Sequence, residues 1–500
     1  MISGDASCVV NYLEVFDVNG ASIYASGNAS SRVGPFEITC PGSTISGFSF
    51  HCNDGSAFPT PNYAALNTIS GVTCTNGAAA SIVGLQNVCS GTTVGTIGSD
   101  PTLGTCTACT PGVCPATPCS LQSCALGPSP LDAPWPMMGQ DPAHRSTSPF
   151  SGPQAQPTVA WSEGGGAYDG VTVGNDGAVY SSVSQVKLLT AYNGSSGQII
   201  WTTLNSGIGS STYAIGPTYT LLGNYQGSNA AIFSQSTGAL SSYVGDSTSY
   251  GQAGPDITLG ADLSMAVIFR NNYLCYYATT FTSNPTCTSV ASINAIDGAA
   301  IPLIYSGSIY LATSSFLFKI SPSGPKLASI WNYPSSPYGS LSSPTISVSL
   351  DSLSVFVGSS SGTALSISAS SGTLQWAATP CPQACTMAPR ALPVPSPDGT
   401  KVFFPVGRAS PQGYAGVVAL SATTGATQWT LATSGDARSL ALDASGILYV
   451  GDASGSICAV RSASGVVVWT QAVGGAIANL AIGANSFLYA ATNASLVALR

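Results

Sequence analysis

Asp443-Ala444-Ser445-Gly446-Ile447-Leu448-Tyr449-Val450-Gly451, then Ile457-Cys458-Ala459-Val460, then Ser464-Gly465-Val466-Val467-Val468-Trp469 are the residues that decide the fold. A turn leads into a β-branched and aromatic run, a second apolar run follows, and a Ser-Gly turn opens a third that ends on Trp. No helical period runs through any of it. The same order recurs in Asn175-Asp176-Gly177-Ala178-Val179-Tyr180, Leu188-Leu189-Thr190-Ala191-Tyr192 and Gln198-Ile199-Ile200-Trp201. Gly-x-x-x-Trp occurs as Gly197 to Trp201, Gly372 to Trp376, Gly425 to Trp429 and Gly465 to Trp469. A repeat of about 40 residues with four strands is the blade of a β-propeller.

With the closing aromatic as a ruler, blades end at Trp201, Tyr243, near Val290, Trp331, Trp376, Trp429 and Trp469. Three more strands follow, around Ile477 to Ala481, Phe487 to Ala491 and Leu496 to Leu499. Their fourth is expected upstream, in Gln156-Pro157-Thr158-Val159-Ala160-Trp161, which ends on the expected Trp. The prediction is an all-β chain with an eight-bladed propeller over residues 135–500, closed by the strand 156–161. Closure is expected to leave no free edge.

These units resemble the PQQ-like, or quinoprotein-type, eight-bladed propellers, whose repeat reads approximately Asp-Gly-x-Val-Tyr, a strand, then Ala-x-Thr-Gly-x-x-x-Trp. The resemblance covers about residues 135 to 500. Trp135-Pro136-Met137-Met138-Gly139-Gln140-Asp141-Pro142-Ala143-His144-Arg145 is similar to the lead-in that often precedes such propellers. The scaffold serves dehydrogenases, assembly factors and surface proteins, so the resemblance implies the fold and leaves the function to the site. Quinone-binding members resemble one another in a vicinal Cys-Cys pair, a calcium held by Glu, Asn and Asp, and a catalytic Asp. This chain has no Cys-Cys, and Glu163 is the only Glu in the propeller region. The family's Asp eight positions before the blade Trp is replaced by Asn193, Ser368, Ser421 and Arg461. No cofactor, metal or catalytic residue is therefore expected, and a quinone-dependent dehydrogenase ranks third among the readings of function.

Other chemistry finds little to build on. His51 and His144 are the only histidines, one in each half of the plan, so neither a His-based metal site nor a Ser-His-Asp hydrolase is expected. Asn53-Asp54-Gly55, Asn175-Asp176-Gly177 and Asp398-Gly399 lack the alternating acids of a calcium loop and read as hairpin turns. The Trp residues hold a fixed place in each blade, which marks packing between blades rather than a sugar platform.

Charged residues make up only 6% of the 500-residue chain, with 12 basic against 20 acidic side chains and a net charge of −8. With four lysines, the chain lacks the clustered cations that phosphate binding needs, which excludes nucleic acid. No apolar run reaches the roughly 20 residues of a spanning helix. Met1-Ile2-Ser3-Gly4-Asp5 has neither the basic nor the apolar region of a signal peptide. Solubility then rests on Ser, Thr, Gly and Asn, on covalent glycans, or on burial in an assembly. Asn28, Asn193 and Asn493 head glycosylation sequons.

Ten of the 15 cysteines precede residue 125. Such density marks an oxidising compartment and a module stapled by disulfides. Residues 1–99 are read as a small disulfide-rich β module holding Cys8, Cys40, Cys52, Cys74 and Cys89, with strands in Val9–Val18, Phe36–Cys40 and Ile45–Phe50. Residues 100–134 are read as a Cys/Pro-rich connector with Cys106, Cys109, Cys114, Cys119 and Cys124, where disulfides are favoured over zinc. Cys275 with Cys287, and Cys381 with Cys385, are expected as loop staples, and Cys458 as a buried free thiol.

The functional expectation is an extracellular or cell-surface structural and interaction protein, a subunit of a filament, coat or matrix without catalytic activity. The alternative is a glycan- or peptide-binding propeller. Self-association is expected through the amino-terminal module, by strand addition of Val9–Val18 with Tyr12, Phe16 and Val18 entering the partner.

Overall fold

The computed structural model divides the chain into two compact units, Met1–Pro128 and Ser129–Arg500. It describes the strands of the first unit between residues 2 and 83 as backbone. It also describes residues 133–500, apart from 184–187, 204–212, 216–218, 226–228, 245–252, 261–263, 270–272, 279–284, 290–300, 323–326, 350–351 and 389–390. Among the described residues no helix is long and apolar enough to cross a membrane.

In the first unit β1 (Ile2–Ala6), β2 (Val10–Phe16), β3 (Ser22–Gly27), β4 (Pro35–Thr39), β5 (Ile45–Asn53), β6 (Ala65–Cys74) and β7 (Ser81–Val83) share one sheet. Its order is β5-β6-β2-β1-β4-β7, with β3 also on β2. On one side β2 pairs with β1 (Asp5↔Tyr12, Ile2↔Val15), and on the other with β3 (Tyr12↔Gly27, Phe16↔Ser22) and β6 (Val10↔Leu66). Tyr12 and Phe16 therefore lie on a strand whose backbone groups are already taken, while Val18 lies outside the described residues. Cys52 and Cys74 fall on β5 and β6; Asn28 and the other cysteines before residue 125 lie outside the described residues.

The second unit begins with β8 (Val159–Gly164) and continues through seven antiparallel sheets built from consecutive strands. The first holds β9 (Tyr168–Val173), β10 (Ala178–Val183), β11 (Leu188–Asn193) and β12 (Ile199–Thr202). The second holds β13 (Ala214–Ile215), β14 (Tyr219–Tyr225), β15 (Asn229–Ser234) and β16 (Leu240–Val244). The third holds β17 (Ala253–Leu259), β18 (Met265–Phe269), β19 (Tyr273–Tyr277) and β20 (Thr286–Ser289). The fourth holds β21 (Leu303–Tyr305), β22 (Ser308–Ala312), β23 (Phe316–Ser321) and β24 (Ala328–Pro334). The fifth holds β25 (Thr345–Ser349), β26 (Ser352–Gly358), β27 (Ala364–Ser368) and β28 (Leu374–Ala378). In the sixth, two short pieces, β29 (Cys385–Thr386) and β30 (Val394–Pro395), both pair with β31 (Lys401–Arg408), followed by β32 (Gly416–Ser421) and β33 (Thr427–Ala432). The seventh holds β34 (Ala437–Leu442), β35 (Ile447–Asp452), β36 (Ser456–Arg461) and β37 (Val467–Ala472).

The remaining strands, β38 (Ile477–Ile482), β39 (Leu488–Thr492) and β40 (Ser495–Leu499), form a sheet with β8. The sequence counted eight blades. The chain completes seven from consecutive strands, and the closing sheet is a composite in which Ser495 pairs with Gly164 and Ala498 with Trp161. The closing strand runs from Val159 to Gly164 rather than over 156–161. Upstream of it, Thr158 and Arg500 exchange two backbone hydrogen bonds of 3.0 Å.

Closure does not abolish edges. In each sheet the fourth strand ends the pairing order, so its outer row of backbone groups has no neighbouring strand within the sheet. Burial follows that layout: β10 and β35 are buried throughout, whereas β12, β24, β33 and β37 are largely exposed.

Candidate functional site

The seams between blades are built from the repeat itself. The Trp indole N–H on the outer strand of one sheet donates to a backbone carbonyl of the next: Trp161 to Gly194 (2.8 Å), Trp201 to Gln235 (3.0 Å), Trp331 to Ala369 (3.2 Å), Trp376 to Ala422 (2.9 Å) and Trp429 to Ser462 (3.0 Å). Burying an indole requires such an acceptor. The glycine of Gly-x-x-x-Trp lies against the Trp ring of the preceding sheet. A Cβ at Gly425, where φ is +71°, would stand 2.7 Å from Trp376, so both backbone conformation and space call for glycine there. The positions that lost the family's Asp still shape this turn. Asn193 Oδ1 accepts from the N–H groups of Ser195 and Ser196 (3.0 Å each), and Ser421 Oγ accepts from Thr424 N–H (3.2 Å).

Where β8 and β40 meet, the chain is discontinuous and no such turn exists, so residues 152–154 supply its contacts. The carbonyl of Pro153 accepts from Trp469 Nε1 (3.0 Å) and from the Tyr449 hydroxyl (3.2 Å). Asp443 Oδ2 accepts from Gly152 N–H (3.1 Å), Gln154 Nε2 (2.6 Å) and the Tyr449 hydroxyl (3.0 Å), while its Oδ1 accepts from the N–H groups of Ser445 and Ile447.

The lead-in, residues 135–148, runs across the innermost strands. Trp135 bridges to Val173 on β9, Ile215 N–H of β13 donates to Pro136 O (2.7 Å), and Ile304 N–H of β21 donates to Pro142 O (3.0 Å). Ile346 N–H of β25 donates to Ala143 O (3.1 Å), and Leu442 of β34 exchanges bonds with Ser146 and Ser148. Side chains complete the circuit: His144 Nε2 lies 3.1 Å from Thr258 Oγ1 on β17, and Asn479 Nδ2 on β38 lies 3.2 Å from Met138 Sδ. One segment thus touches the first strands of seven different sheets, which places it where the inner strands converge. It is folded tightly on itself. Asp141 accepts from the N–H groups of Ala143 (2.9 Å) and Arg145 (3.2 Å) and pairs with the Arg145 guanidinium, and Trp135, Asp141 and His144 are buried.

Among the described residues, the quinone and calcium ligands of the resembling family have no counterpart where the lead-in meets the inner strands. Glu163 sits on β8, paired with Leu496, at the opposite end of its sheet from the inner strand β38. Among the described residues no three His, Cys, Asp or Glu side chains gather as a metal set. The described residues do not fit a calcium–quinone group.

The other sequence candidates are dispersed. Asn193, the last residue of β11, and Asn493, between β39 and β40, are both exposed. Cys275 and Cys287 form a disulfide directly across β19 and β20, a cross-strand rather than a loop staple, and Cys381 bonds Cys385 at the start of the sixth sheet. Cys458 is a free thiol on the third strand β36, half-buried rather than buried; burial pushes its pKa up. Sequence reasoning missed the axial course of the lead-in. The available signal was the unusual cluster Asp141, His144 and Arg145 in a chain so poor in charge.

Residues 328–497 match the family model described as "Outer membrane protein assembly factor BamB". No curated protein matches the sequence. Among solved structures, the chain is similar to a europium-containing methanol dehydrogenase (TM-score 0.59, 12% identity, covering 73% of this chain and 97% of that one). It is also similar to the quinohemoprotein alcohol dehydrogenase from Comamonas testosteroni (0.56, 11%, covering 73% and 80%) and to BamB from Moraxella catarrhalis (0.51, 14%, covering 69% and 99%). Identities this low carry the fold alone. The second unit has a β-propeller fold similar to that of the quinoprotein dehydrogenases and of BamB.

Proposed function

We propose that the chain is a non-catalytic structural and interaction subunit of an extracellular filament, coat or matrix, with the propeller as its rigid block. The observation that carries this reading is the lead-in. A segment of the chain itself occupies the place where the inner strands meet, tied to those strands mainly by backbone hydrogen bonds. Disulfides at Cys275–Cys287 and Cys381–Cys385 support an oxidising compartment, and exposed Asn193 and Asn493 support covalent glycans. Titration with calcium and pyrroloquinoline quinone, followed by calorimetry, tests the reading. The expected outcome is an unchanged melting temperature with either added or with chelator present. A rise of several degrees, the linkage signature of a ligand bound to the native state, overturns it in favour of a dehydrogenase.

A further inference from the structure

The fourth strands of the sheets form the rim of the propeller, and their composition is unusual for sheet edges. Natural edges are guarded by charge, especially Lys, and by Pro. Across β8, β12, β16, β20, β24, β28, β33 and β37 the only charged residue is Glu163, and Pro334 ends β24. The large apolar side chains exposed among the described residues all lie on or immediately beside these strands, with 40% to 58% of their surface open to solvent. Among the described residues they fall in two arcs. Val466 and Val467 of the seventh sheet, Val159 of the composite sheet, and Ile199 and Ile200 of the first occupy three neighbouring sheets. Ile330 and Leu374 occupy the neighbouring fourth and fifth. The composite sheet lies between the seventh and the first, so the fourth is four places from it in either direction, on the far side of the ring. On one of the two sides between the arcs, the sixth sheet presents Thr427, Gln428 and Thr430 at the same level.

We infer that these two arcs are self-association faces through which the propeller binds a second copy of this chain head to tail, outer strand against outer strand. This rests on the structural reading above. The occupant follows from the chemistry: an uncharged edge has nothing with which to select a charged partner, and an edge of the same make supplies both the missing backbone partners and aliphatic side chains of matching size. One strand pair is smaller than the roughly 1,200 Å² of a stable interface, whereas an arc spread over adjacent sheets multiplies it. Two different faces on opposite sides of one ring make a heterologous contact, which propagates into an open filament. The amino-terminal sheet does not compete for this role through β2, whose edges are filled.

The test uses the full chain in sedimentation velocity and electron microscopy. One variant carries Ile199→Lys with Val467→Lys, a second carries Ile330→Lys with Leu374→Lys, and Thr427→Lys in the sixth sheet is the control. All these positions are exposed, and melting temperatures report folding. The expected result is polymers for the unmodified chain and the control, and monomers of 50.1 kDa for either double variant alone. Mixing the two double variants should restore a species of twice that mass and nothing longer, because one intact face remains on each. Polymers undiminished in both variants would overturn the rim assignment and leave the structural reading standing. An unmodified chain that stays monomeric at every concentration, and in native material, would overturn both.

Discussion

Trp376 and Gly425 show what one residue contributes to the seam. Trp376 is buried, donates to Ala422 O and lies on Gly425. Trp376→Ala removes the ring and its hydrogen bond together and is expected to cost about 3–5 kcal/mol. Gly425→Ala keeps every other atom but forces Cβ toward that ring from a left-handed backbone, which alone costs about 1–2 kcal/mol. Thermal unfolding should rank the two in that order, both below the native chain. Tyrosines give a second reading at this scale. Burial pushes Tyr310 and Tyr489 up to about 12, and the Tyr489 hydroxyl donates to Gly194 O at 3.0 Å. An unfolded tyrosine ionises near 10, so their contribution is intact below about pH 10, and the native state loses stability as pH rises from there toward 12. Chemical unfolding at stepped pH should be flat up to about 10 and then decline, with phenolate absorbance at these two sites appearing late. A decline already complete by pH 9 would contradict the assignment.

At the scale of elements, the join between 152–154 and the seventh sheet is the point to probe. Asp443→Ala leaves Gly152 N–H, Gln154 Nε2 and the Tyr449 hydroxyl without their shared acceptor. Hydrogen bonds to a charged group are worth about 1.5–3 kcal/mol, so the loss should reach at least about 3 kcal/mol. Limited proteolysis should then cut within 150–158 at a rate the native chain does not show. Equal protease resistance would mean that the β8–β40 ladder closes the ring unaided. Much of this layer was readable in advance, because Gly-x-x-x-Trp fixes both a turn and a seam. The end of the third blade was placed near Val290, and β20 stops at Ser289 although no aromatic marks it. The sixth sheet was harder, since its innermost strand is split into β29 and β30. The lead-in was opaque because most of its ties run through backbone atoms, which leave no trace in side-chain pattern. The error about free edges was physical: a closing strand completes the circle of sheets but runs alongside the outer strands without covering them.

For the whole molecule, the scarcity of charge is the property that most needs an explanation in solution. Rim strands bearing Ile, Val and Thr in place of Lys and Glu would precipitate an isolated particle unless something covers them. Intact mass spectrometry of native material should therefore exceed 50.1 kDa by glycans on Asn193, Asn493 or hydroxyl-rich stretches. A mass corrected only for disulfides would assign the covering to neighbouring copies alone. The rim aliphatics were visible in Ile199-Ile200-Trp201 and Val466-Val467-Val468-Trp469 as strand formers. Their outward aim was not visible, because a strand buried on both faces reads identically.

The pairing of β8 with β40 also sets a clock. The early partner ends at Gly164 and the late one begins at Ser495, so at about 5–20 residues per second the first strand waits on the order of 20–60 s for its mate during synthesis. As each blade between them emerges it joins an open arc whose last seam is still unmade. A nascent chain of this composition has little charge with which to repel its neighbours on a polysome. Closure of the ring therefore follows completion of the chain, and the β8–β40 ladder is the last pairing to form.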